Sequence, residues 1–179
     1  MTLILGFAPF ILFALLSRLS ADLALWTAFA AAFVVTIRDF VERPTLRLLD
    51  VTSLALFGLM ALARGFVTPD LSLAAVRAIV DAVLLVAMTI SLLRRRPFSQ
   101  QYASGETSGR VWPLPLFLRV NTVISAAWVA AFGAMTLADT AVIFSPVPLD
   151  VGVAVNIIAL AGAITLTLRY PARQSARLS

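Results

Sequence analysis

The chain has 179 residues, of which 61% are hydrophobic and 13% charged, with a formal net charge of +5. Soluble domains hold about 45–50% apolar and about 25% charged residues, so this is the composition of an integral membrane protein, apolar along its length and with no room for a separate soluble domain. Cys, His and Lys are absent, which excludes disulfides, thiolate nucleophiles, Cys or His metal sites, His- or Cys-ligated haem, Schiff-base lysines and histidine bases.

The first apolar run, Leu3 to Ser17, is short for a span. Only Met1 and Thr2 precede it, whereas a cleavable signal needs a positively charged leader, so the run reads as part of the membrane domain. A turn from Arg18 to Asp22 leads to a second run, Leu23 to Ile37. One helix through both would far exceed the roughly 20 residues a bilayer needs, so two short helices in a hairpin are expected. Ser20 or Asp22 would cap the second, with Trp26 near the interface.

A polar connection, Arg38 to Arg47, precedes a third run from Asp50 to Ala63, closed by Arg64 and Gly65. Thr68, Pro69 and Asp70 are a helix-start signal for the fourth run, Leu71 to Leu93. That run stops at Arg94, Arg95, Arg96 and Pro97. The loop from Phe98 to Trp112 is too polar for lipid, and we expect it on the membrane surface with Phe98 and Tyr102 dipping toward the headgroups. Pro113 and Pro115 open a fifth run ending at Ala138, and Pro146 and Pro148 open a sixth ending at Leu168. The tail, Arg169 to Ser179, is basic.

The expected fold is therefore all-α: a polytopic transmembrane helix bundle of about six spans, the first two short, forming a single domain over 1–168 with a basic tail over 169–179. Arginines are concentrated in the second connection (Arg38, Arg43, Arg47), around the fourth (Arg94, Arg95, Arg96, Arg110, Arg119) and in the tail (Arg169, Arg173, Arg177). The opposite side has Arg18 and Arg64, with Arg77 just inside the membrane. By the positive-inside rule both termini are expected in the cytoplasm. Arginines placed beside apolar runs point to lipid rather than to nucleic acid.

Arg77 and Asp81 are four residues apart and share one face of the fourth helix. A carboxylate about ten residues into a span must face protein or water, since a charge at that depth costs about 2.5–3.5 kcal/mol on insertion scales. The pair is either a packing device or a proton, cation or polar-substrate site. Asn156 lies at a similar depth, and Asn121 lies one turn into the fifth run; interhelical amide bonds explain both unless Asn156 joins Arg77 and Asp81 in a cluster. Gly6, Gly58, Gly133, Gly152 and Gly162 would let helices approach closely. There is no phosphate loop, zinc signature or Ser/His pair, and Asp81 is the one acid placed clearly inside a span, so no enzyme, cofactor or metal is expected.

Phe7 to Phe13 with Pro9, the Arg18 to Asp22 turn, Leu56 to Leu59 with Gly58, Arg96-Pro97, Val111-Trp112, Arg119 to Asn121 and Trp128 follow one another in order. This order, covering Gly6 to about Leu168, resembles the intracellular septation protein A family of bacterial inner-membrane proteins, or a neighbouring family. The loop after Pro97 is longer than that family's equivalent, and the basic flanks of the later spans are reduced. The resemblance implies a non-enzymatic protein of envelope maintenance or division, acting through helix contacts with envelope proteins or with itself; it carries no catalytic residues. A small transporter or channel with Asp81 in its path is the alternative.

Overall fold

In the computed structural model, residues 5–17, 19–42, 44, 47–103 and 114–175 are described. Among them every regular element is a helix: α1 (Ala8–Leu16), α2 (Ala21–Glu42), α3 (Leu48–Phe66), α4 (Leu73–Leu93), α5 (Ser99–Ala103), α6 (Leu114–Phe144) and α7 (Leu149–Ser175). The helices α2, α3, α4, α6 and α7 are long and apolar enough to cross a membrane. The chain is a multi-pass membrane protein and forms two compact units, Met1–Val76 and Arg77–Ser179.

Three boundaries differ from the sequence reading. The second helix is not short: it has 22 residues, because Arg38 to Glu42 continue it, with Arg38 Nε 3.0 Å from Glu42 Oε1 one turn on. The nine residues of α1 rise roughly 14 Å, well under the roughly 30 Å of a hydrocarbon core; residues 1–4 of the same run lie outside the described residues. The fifth run does not stop at Ala138, since nothing in Asp139 and Thr140 breaks a helix, and α6 continues to Phe144 before the turn at Ser145–Pro148.

In the first unit α1 packs on α2 and α2 on α3. The buried face of α2 is Ala21, Ala24, Leu25, Ala28 and Ala32, at the three-and-four spacing of one helix stripe. Small residues there bring the backbones close. A Cβ on Gly58 of α3 would stand 3.0 Å from the Phe29 ring of α2, so only glycine fits without moving that ring. Phe10 and Phe13 of α1 rest on Phe57 of α3, ring centroids 5.0 and 5.6 Å apart. At the ends of α2 and α3, Arg64 binds Asp22 (Nε to Oδ1, 2.6 Å) and the Leu71 carbonyl.

In the second unit α6 and α7 form an antiparallel hairpin. Val120, Ile124, Trp128, Ala131, Phe132 and Met135 are the buried face of α6. Trp128 stacks on Phe132, and its Nε1 donates to Thr167 Oγ1 of α7 at 3.0 Å. Helix α4 buries Val76, Val80, Leu84 and Met88 and exposes Ile79, Val83, Val86 and Ile90, an apolar outer face suited to lipid. It ends with Arg95 in the left-handed region, φ 54°, which lets the Arg96 N–H reach the Ser91 carbonyl. Trp112 and residues 104–113 are outside the described residues.

Candidate functional site

The buried stripe of α6 does not end at Met135: four residues on, the next position of the same face is Asp139, with no exposed surface. Arg77 and Asp81 occupy the equivalent inner face of α4, and Asn156 faces inward from α7; all three are more than nine-tenths buried. Counted from the nearer helix ends, the four lie roughly 6–12 Å inside. They are at one level because α6 runs antiparallel to α7 with a short turn between.

Gly152 makes this meeting possible. A Cβ there would stand 3.0 Å from Val142 Cγ2 and 3.3 Å from Asp139 Oδ1. With glycine, α7 comes close enough to α6 that Asn156, one turn further along, donates from Nδ2 to Asp139 Oδ2 at 3.1 Å. Arg77 Nη2 lies 3.2 Å from Asp139 Oδ1. That is ion-pair distance, yet the alignment falls short of a hydrogen bond, since Oδ1 has no hydrogen-bond partner. Asp81 interacts with the Asp139 carboxyl and with the Arg77 guanidinium. Arg77 pairs with Asp139, Asp81 lies within electrostatic reach of both, and Asp81 Oδ2, Asp139 Oδ1 and Asn156 Oδ1 are buried with no hydrogen-bond partner.

The sequence places Arg77, Asp81 and Asn156 as candidates, and the structure brings these three together. Asp139, which it leaves at the edge of a span, is their hub. The signal was present in the spacing, since Asp139 follows Trp128, Phe132 and Met135 at helical period. Asn121 belongs elsewhere. Its Oδ1 is 2.9 Å from Ser99 Oγ, which is also 3.1 Å from Ser125 Oγ, and its Nδ2 donates to the Phe117 carbonyl. This network pins α5 to α6. It also corrects the expected surface loop: Phe98 and Tyr102 are fully buried rather than dipping toward headgroups, because Ser99 between them is tied to α6.

A second acid–arginine cluster lies in the first unit. Arg47 Nη1 donates to Asp39 Oδ2 at 2.7 Å, and Asp39, Arg47 and Asp50 are all more than nine-tenths buried. Thr36 Oγ1 and Ser53 Oγ both donate to the Asp50 carbonyl, and Arg47 and Asp50 hold further partners. This cluster closes the junction of α2 and α3. Among the described residues, no group of three or more Asp or Glu side chains is placed to hold a metal ion.

Fold and site define a helical multi-pass membrane protein with a carboxyl pair inside one unit. No family model matches this chain, and no curated protein or solved structure similar to it is found.

Proposed function

We propose that the protein is a small proton-conducting or proton-coupled membrane protein in which Asp81 and Asp139 exchange the proton. The supporting observation is the incompleteness of the cluster: Asp81 Oδ2 and Asp139 Oδ1 are buried with no hydrogen-bond partner, whereas Arg47 and Asp50 of the first unit's cluster hold further partners. Two carboxyls face one guanidinium, so the ionised site carries one negative charge in excess, and a single proton makes it neutral. Charge at membrane depth is expensive, so a site that switches between neutral and singly charged is suited to taking up and releasing a proton. Arg77 pairs with Asp139 and lies beside Asp81 on α4, and Asn156 orients Asp139 through Oδ2. Neither step requires catalysis or a cofactor.

Proton flux into proteoliposomes loaded with a pH-sensitive dye tests this. The wild type should acidify the lumen under an inward gradient, and Asp81→Asn should fall to the level of protein-free vesicles while remaining folded. Wild-type flux in folded Asp81→Asn would reject the reading.

A second reading is supported by the ordered residues from Phe7 to Trp128 that resemble the septation protein A family. Here the protein serves envelope maintenance in the bacterial inner membrane through contacts with envelope proteins or another copy of itself. The arginine distribution would put the α2–α3 connection, the segment between α4 and α6 and the C-terminal residues in the cytoplasm. Crosslinking in cells that retrieves the same envelope proteins with wild type and Asp81→Asn would favour it.

A further inference from the structure

One face of α7 carries a feature that the proton site does not use. Leu149 to Leu168 rise roughly 29 Å, enough to cross the hydrocarbon core, so Arg169 stands where the chain meets the headgroups. Arg169 and Arg173, one turn apart on that face, are both exposed, and among the described residues neither forms an ion pair. Together with Ala161, Gly162, Thr165, Leu166 and Tyr170 they line an open groove of about 470 Å³. Gly162 has no heavy atom within 4 Å of the place where a Cβ would be. It is therefore not one of the glycines that brings helices together. Seven residues separate it from Arg169, roughly 10 Å of depth, which is acyl-chain territory.

We propose that this face of α7 binds an anionic glycerophospholipid, with the phosphate held by Arg169 and Arg173 and an acyl chain lying in the groove over Gly162. Charge complementarity selects the occupant. Two unpaired guanidiniums at the boundary suit a phosphodiester, with Arg offering it paired N–H donors. The apolar lining of the groove suits the tail attached to that phosphate. A free phosphate would use the arginines but not the groove, and a second copy of the chain would bring no anion to Arg169.

The test uses full-length protein in detergent with added phosphatidylglycerol, phosphatidylcholine or inorganic phosphate, read by native mass spectrometry and thermal unfolding. The wild type should retain phosphatidylglycerol over phosphatidylcholine. Arg169→Gln with Arg173→Gln should weaken that retention about thirtyfold, the effect of two arginines at a membrane surface. Gly162→Leu fills the groove at an exposed helical position, so the protein should fold and retain less phosphatidylglycerol. Equal retention of both lipids, an unchanged preference in the arginine variant, unchanged phosphatidylglycerol retention in Gly162→Leu, or stabilisation by inorganic phosphate to the same extent would overturn the proposal. So would Gly162→Leu changing the oligomeric mass without changing lipid retention. None of these readouts depends on proton flux.

Discussion

Each unit buries two aspartates and an arginine, and the two clusters differ in how fully their polar atoms are satisfied. In the first, Arg47 and Asp39 meet at 2.7 Å and Arg47 and Asp50 hold further partners. In the second, Arg77 and Asp139 meet at 3.2 Å without hydrogen-bond alignment, and three buried oxygens are left over. Buried polar groups are normally satisfied, and those that are not call for a reason. On the proposed reading, the same three charges make a clamp where the partners are complete and an exchangeable site where they are not.

Removing one partner from the clamp should have the largest effect on folding. Asp39→Ala should destabilise the protein by about 3–5 kcal/mol, the usual result of breaking a buried ion pair, in an unfolding titration in lipid–detergent micelles. A loss near zero would make the two clusters alike. Gly152→Val comes next, since it forces α7 away from α6. About 1–3 kcal/mol should be lost to overpacking, and proton flux should fall with it because Asn156 no longer reaches Asp139. Asp81→Asn separates the clusters most sharply. Its stability should lie within about 1 kcal/mol of wild type, the net value of one hydrogen bond, because Asp81 Oδ2 has no hydrogen bond to lose. A small effect of the opposite sign is expected outside both clusters. Arg95→Gly should stabilise by about 1 kcal/mol by relieving a left-handed residue at the α4 terminus, measured in the same titration.

The helical, membrane-spanning architecture was legible because apolar runs are long and arginines and prolines bound them. The ends were less legible: Asp139 lay one residue past an apolar run, and hydropathy alone cannot distinguish a polar residue that ends a helix from one that continues it inward. Arg77 and Asp81 could be placed on one face by helical spacing, since both lie on one helix. Their link to Asp139 depends on how closely α6 and α7 approach, which Gly152 decides. Gly152 and Gly162 look alike in sequence, yet one has a neighbour 3.0 Å away and the other has open space. The partner of Asn121 was not legible for a related reason, as Ser99 sits in a five-residue helix too short to give a periodic signal.

The central claim is that the second cluster holds an exchangeable proton and the first does not. Infrared difference spectroscopy of the protonated-carboxyl band, recorded across an acid-to-neutral step on protein in lipid, tests it most directly. The account predicts a titrating band in wild type that is lost in Asp81→Asn and in Asp139→Asn and survives in Asp39→Asn. A band that persists in both unit-two variants, or one that vanishes only in folded Asp39→Asn, would contradict it.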